Sequence, residues 1–228
     1  GSQAVFQGQH MIARMPEGAT FFDGTYCPYP EEIPEDLSDL DEQMGRILWS
    51  AMVHSPWDHS GEPDFWADLR AKAIELRQSS DRALMIVCGC NLFEWGTFLR
   101  RMDNFLCDLL TDEAGVERLL DALMERHLAT LEKVCQAVGD VGDDLGMDSG
   151  PFMRPELYRK LFKPRHAMLT DYVHKHSGMK TFLHSCGSIY KLMPDLIEAG
   201  YDVINPVQLT ARDMEPERLK KEFGKDIT

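Results

Sequence analysis

Strand-like and helix-like segments alternate along the second half of this 228-residue chain, and the alternation predicts an α/β fold, a parallel sheet covered by helices. Three observations carry that prediction. Ala83-Leu84-Met85-Ile86-Val87-Cys88 is a short apolar run bounded by Asp81 and Gly89, the form of a strand buried on both faces. Val116, Leu119, Leu120, Leu123, Leu131, Val134 and Val138 then keep helical spacing, with Gly139 where a left-handed C-cap is cheapest. Finally, residues 180–184 predict a strand, 189–199 a helix stopped by Gly200, 202–205 a strand, and 216–223 a helix stopped by Gly224.

The other segments follow in order. Residues 1–34 carry Gly, Pro and aromatic residues without periodicity, which predicts an irregular or hairpin segment. From Asp39 the spacing of Met44, Ile47, Leu48 and Ala51 is helical, and a second helix follows Pro63 through Phe65, Leu69 and Leu76. Pro155, at a first helical position, opens a helix through Leu157, Leu161 and Met168 that Pro164 should kink and Gly178 should end. The chain thus reads as one domain, with an irregular segment and helices over 1–82 and alternating β/α units over 83–228. Lys225-Asp226-Ile227-Thr228 begins one more strand, and an open parallel edge leaves unpaired backbone groups, so further chain is expected beyond Thr228.

Composition removes several functions. The net charge of −14, from 24 basic and 38 acidic residues, disfavours nucleic acid and anionic membranes, because a phosphate-binding face must be basic. No apolar run approaches the roughly 20 residues that span a bilayer, and Gly1-Ser2-Gln3 does not begin a signal peptide, so a cytoplasmic, soluble protein is expected. The six cysteines are too sparse for a disulfide framework and are read as thiols. There is no phosphate loop, dinucleotide fingerprint or serine elbow.

Chemistry concentrates at strand ends. In His184-Ser185-Cys186-Gly187 the imidazole and thiol are two residues apart and share a face of an extended chain, so both can reach one zinc ion as two of three protein ligands. A buried histidine and thiol capping the strand would have the same sequence. Cys88 and Cys90 close another predicted strand and are read as packing residues. In Gly142-Asp143-Asp144-Leu145-Gly146 one carboxylate can bind substrate or do acid–base work, and a solvated Asx turn suits the pair equally. Asn205-Pro206-Val207-Gln208 offers amide donors to an anionic substrate, though Asn-Pro also simply makes turns. Phe93-Glu94-Trp95-Gly96 and the 13 methionines are read as core.

Taken in order, Gly142–Gly146, Pro155-Glu156-Leu157-Tyr158, His184 through Ile189 and Pro194 through Gln208 resemble uroporphyrinogen decarboxylase-like proteins, over roughly residues 83–228. The resemblance implies a (β/α)8 TIM barrel, present here as an incomplete barrel that lacks its first strands and its last two. The His-x-Cys step resembles the zinc-dependent methylcobamide:thiol methyltransferase and corrinoid-dependent demethylase branch. That implies His184 and Cys186 as zinc ligands, a third Cys ligand beyond Thr228, Asp144 as a catalytic residue, and Asp143, Asn205 and Gln208 as substrate-binding residues. It further implies a corrinoid on a partner protein and a small-molecule methyl donor or thiol acceptor. The alternatives are a cofactor-free decarboxylase of a tetrapyrrole-like polycarboxylate and a non-catalytic remnant of the fold.

Overall fold

The computed structural model describes residues 3–7, 9–20, 22–47, 60–86, 89–137, 146–147 and 149–228. Along the chain these form β1 (Gln3–Gln7), β2 (His10–Met15), β3 (Asp23–Gly24), α1 (Leu40–Gly45), α2 (Phe65–Ser79), α3 (Phe93–Arg100), α4 (Met102–Thr111) and α5 (Glu113–Ala137). There follow β4 (Gly146–Met147), β5 (Gly150–Pro151), α6 (Pro155–Leu157), α7 (Lys163–His176), β6 (Phe182–His184), α8 (Met193–Glu198), β7 (Val203–Asn205) and α9 (Pro216–Glu222). The chain divides into two compact units, Gly1–Phe65 with Trp95–Ala122, and Trp66–Glu94 with Leu123–Thr228.

In the first unit the N-terminal segment is the expected hairpin: β1 pairs antiparallel with β2, and β3 extends the sheet on β2. Among its described residues the buried polar side chain is Arg100, only 3% exposed. Such a charge is tolerable in the interior only when paired, and Asp108 supplies bonds of 2.6 and 3.1 Å while the Tyr29 carbonyl accepts from the same guanidinium. Arg118 reaches the carbonyls of Pro34 and Ile33 at 3.0 and 3.1 Å and so anchors the loop before α1. Helices α3 and α4 add to the elements that the sequence pattern predicts.

The second unit holds the parallel strands. Residues 155–176 run as one helical segment with a widened π-type turn at Tyr158–Phe162, which ends two residues before Pro164. Pro164 has no N–H and its ring would press on the carbonyl four residues back, and the wider turn accommodates both defects. Leu157, Leu161, Phe162, Leu169 and Val173 form the buried face of this segment. Asp195 on α8, only 3% exposed, is gripped by Arg159 through two bonds of 2.9 Å and by Lys163 at 2.8 Å. Burial pushes its carboxyl up, but these two cations outweigh burial and hold it below the usual carboxylate range.

Strands β6 and β7 pair in parallel, with Phe182 beside Val203, Leu183 beside Ile204 and His184 beside Asn205. Leu183 and Ile204 turn into the core, which by strand alternation turns His184 and Asn205 the other way. The Thr228 N–H donates to the Asp202 carbonyl at 3.0 Å and the Ile204 N–H to the Thr228 carbonyl at 2.9 Å. Those two bonds lay Thr228 against β7, but residues 225–228 form no strand, and this parallel sheet has two strands, β6 and β7. At the N-terminal ends of β6 and β7, Asp202 receives the His174 ring at 2.7 Å, Lys180 at 2.7 Å, and the Thr181 N–H and hydroxyl at 2.8 and 3.0 Å.

One expected strand is corrected. Ala83, Leu84, Met85 and Ile86 make no ladder, and Met85 is 60% exposed rather than buried on both faces. An apolar run becomes a strand only where another backbone takes up its hydrogen bonds, and among the described residues none does so here. Val87 and Cys88, like Leu48, Ala51, Val138 and Gly139, lie outside the described residues. No described helix is long and apolar enough to cross a membrane.

Candidate active site

The parallel register does what the sequence spacing alone does not. It sets Asn205 next to His184 across β6 and β7, on one face, although 21 residues separate them. The ring Nδ1 of His184 lies 3.1 Å from Asn205 Oδ1. An amide oxygen only accepts, so the contact is a hydrogen bond in the form of the ring that carries its proton on Nδ1, and in that neutral form Nε2 keeps its lone pair. That lone pair faces the thiol of Cys186, whose Sγ is 3.6 Å from Nε2. His184 is exposed and Cys186 half-buried, in contrast with Leu183 and Ser185 on either side of the histidine, which are fully buried.

The turn that follows holds the thiol in place. The Ser185 N–H continues the ladder to the Asn205 carbonyl at 2.7 Å, and the Gly187 N–H donates to Gln208 Oε1 at 2.8 Å. Gly187 sits at φ +75°, a conformation that a side chain would strain, and so lets the chain turn sharply behind Cys186. Ser188 donates from its hydroxyl to the Arg212 carbonyl at 2.6 Å, fastening the other side of the turn. Residues 190–192 then enter a tight helical turn that leads into α8.

The donor pair passes a geometric test for zinc. With Zn–N of about 2.0–2.1 Å and Zn–S of about 2.3 Å, a tetrahedral ion spaces its nitrogen and sulfur ligands about 3.6 Å apart. The Nε2–Sγ separation is 3.6 Å. A neutral imidazole whose far nitrogen is hydrogen-bonded is also the usual state of a metal-ligating histidine. Among the described residues, no third His, Cys, Asp or Glu joins the pair.

The remaining sequence-derived residues fall as follows. Asn205 and Gln208, expected to contact substrate, are brought to the same strand ends, and their side-chain oxygens engage His184 and the Gly187 N–H. Asp143 and Asp144 lie outside the described residues. Cys90 is 1% exposed, as a packing thiol should be. Phe93 is also 1% exposed and stacks on Phe152 at 5.1 Å, which makes it a core residue. The contribution of Gly187 goes beyond the sequence reading, although a glycine directly after a ligand-type cysteine is a visible signal of a tight turn.

Parallel strands joined by a helical crossover, with an imidazole and a thiol side by side at their C-terminal ends, define an α/β protein of the kind that builds its active site at that end. Comparison with known proteins makes the class specific. Residues 92–223, more than half the chain, match the uroporphyrinogen decarboxylase (URO-D) family, and the chain belongs to that family. A solved methyltransferase from Methanosarcina mazei shares the fold with a TM-score of 0.53 at 18% identity, over 82% of this chain. The chain spans about half the length of that structure, 50%. No curated protein sequence matches the chain.

Proposed function

We propose that this chain is part of a zinc-dependent methyltransferase that moves a methyl group between a corrinoid on a partner protein and a thiol or methylated small molecule. The observation that carries the reading is the 3.6 Å pairing of His184 Nε2 with Cys186 Sγ at the C-terminal ends of parallel strands. The fold shared with a protein described as a methyltransferase supports it. His184 and Cys186 would hold the metal, with a third ligand from outside the described residues, most simply a cysteine on a later strand of a closed (β/α)8 barrel.

Zinc in such a site lowers the pKa of a thiol that binds it, so that a nucleophilic thiolate is present at neutral pH. The chain's own residues do the rest. Asn205 keeps the His184 lone pair aimed at the metal position, and Gln208 holds the turn that carries Cys186. We further assign the amide groups of Asn205 and Gln208, together with Asp143, to substrate contacts, and Asp144 to proton transfer at the reacting group. The two aspartates are placed by sequence alone.

The test is metal analysis and methyl transfer on the intact protein. One zinc per chain, lost on Cys186→Ser, with methyl transfer from a methylated corrinoid protein to a thiol, is the expected result. Protein that purifies without zinc and takes none up removes the reading. The family's own description favours one other reading, decarboxylation of a porphyrinogen-like polycarboxylate. Release of carbon dioxide from a porphyrinogen by metal-free protein would establish it instead.

A further inference from the structure

We propose that Asn205 is a positioning residue that sets the protonation pattern of the His184 ring, fixing the proton on Nδ1 so that Nε2 is the donor atom beside the Cys186 sulfur. The inference rests on the zinc reading for its purpose, but its physical content is a property of the metal-free chain.

A neutral imidazole has two tautomers, and in water neither is strongly preferred. A ligand histidine must present one chosen nitrogen without a proton, and the other nitrogen's partner makes that choice. In this protein the partner is supplied by strand register rather than by sequence proximity: β7 lies parallel to β6 with Asn205 beside His184, and Oδ1 comes to 3.1 Å from Nδ1. The backbone of Asn205 is itself held in register, because its carbonyl accepts the Ser185 N–H at 2.7 Å. Two bonds therefore tie the His184–Ser185 segment to Asn205, one from the backbone and one from the ring. The thiol stands on the far side of the same ring, 3.6 Å from Nε2. A proton on Nε2 would put an N–H where the metal belongs and leave Asn205 Oδ1 facing a bare nitrogen.

The experiment reads the ring directly. Long-range 15N–1H spectra of chelator-treated protein, recorded at about pH 8 where an ordinary imidazole is neutral, report which nitrogen of His184 carries the proton. Wild type is expected to show the Nδ1-protonated form. Asn205→Ala should show a mixture of both forms, and its zinc affinity, from competition with a chromophoric chelator, should fall roughly 10- to 100-fold. Asn205→Asp keeps an acceptor oxygen and should retain the wild-type ring signature and affinity to within about threefold. Asn205 is exposed, so these variants should fold, and circular dichroism checks that they do.

Wild-type spectra showing the proton on Nε2, or an Asn205→Ala variant with unchanged ring signals and affinity, would overturn the inference while leaving the methyltransferase reading standing. A fixed Nδ1 proton that Asn205→Ala releases, in a protein that binds no zinc, would uphold the role of Asn205 and remove the metal reading.

Discussion

The two ends of the β6–β7 pair are built from similar materials and do opposite things. At the N-terminal end Asp202 is surrounded by four donor groups from His174, Lys180 and Thr181, all within 3.0 Å, and both carboxylate oxygens are engaged. At the C-terminal end His184 makes a bond to Asn205 on one side, and on the other a longer approach, 3.6 Å, to a thiol. The first arrangement uses polar groups to close a helix–strand junction. The second leaves donor atoms converging on a point in an exposed setting. Parallel β/α units can commit one end of a strand to packing while the other, the end at which α/β barrels build their active sites, keeps donor atoms exposed.

Substitutions at the C-terminal strand ends carry the largest expected effect. Replacing His184 with Ala or Cys186 with Ser removes one of the two donors in hand, and zinc affinity should fall by more than about a hundredfold, the scale on which even indirect partners of a site cost 10- to 100-fold. Denaturant unfolding in excess chelator should find both variants within about 0.5 kcal/mol of wild type, as expected for changes at strand ends away from the core. A loss of several kcal/mol without metal would show that this end of the strands is structural after all.

Asp202→Asn should do the reverse. It removes a half-buried charge that several donors rely on, one of them cationic, and should cost about 2–3 kcal/mol in unfolding free energy while zinc stoichiometry stays at the wild-type value. Parallel loss of metal and stability in this variant would mean that the two ends are not separable.

The junction also predicts an acid limb. Burial pushes the Asp202 carboxyl up, but hydrogen bonds from Lys180, the Thr181 N–H, His174 and the Thr181 hydroxyl outweigh it and hold the carboxyl far below its ordinary value of 3.8. Its contribution is thus complete above that ordinary value and drains away as pH falls further, because the unfolded chain then takes up the proton more readily than the folded one. Between about pH 4 and about pH 2, wild-type stability should decline more steeply than that of Asp202→Asn, by up to about 1.4 kcal/mol per pH unit. Identical slopes would mean that Asp202 is not the group titrating.

Much of this contrast is legible in the order of residues alone. From residue 180 onward, apolar runs of strand length alternate with helical periodicity, and Gly200 and Gly224 punctuate them, so β6, α8, β7 and α9 lie close to where the pattern predicts them. The period of two brings out His184 and Cys186 as a pair for the same reason. What sequence does not supply is register, since nothing local says that residue 205 lies beside residue 184. The role of Asn205 toward the ring is therefore invisible there, although the residue itself stands out. Helices α3 and α4 leave a weak signal because their buried positions, Phe93, Leu99, Phe105 and Leu109, are split between two short segments around Arg101, which sits at φ +67°. The run from Ala83 misleads for the opposite reason: strong apolar character without a partner strand among the described residues.

The smallest expected effect lies within the junction itself. Lys180 and the Thr181 N–H approach different oxygens of Asp202 at similar distances, 2.7 and 2.8 Å. The lysine side chain is 74% exposed, however, whereas Thr181 is buried. A solvated ion pair gains little, because water screens the charge and the long side chain loses freedom, so Lys180→Ala should cost about 0.5 kcal/mol or less and become undetectable in high salt. Thr181→Val keeps the shape and the backbone donor but deletes a buried hydroxyl whose single proton lies between the Gly200 carbonyl at 2.9 Å and Asp202 at 3.0 Å, and whose oxygen accepts the Asp202 N–H at 3.1 Å, and should cost about 1–2 kcal/mol, insensitive to salt. If urea unfolding at low and high salt instead ranked Lys180→Ala as the more damaging change, the junction would be held by long-range charge, and the acid limb would have to be reassigned to the acidic surface as a whole.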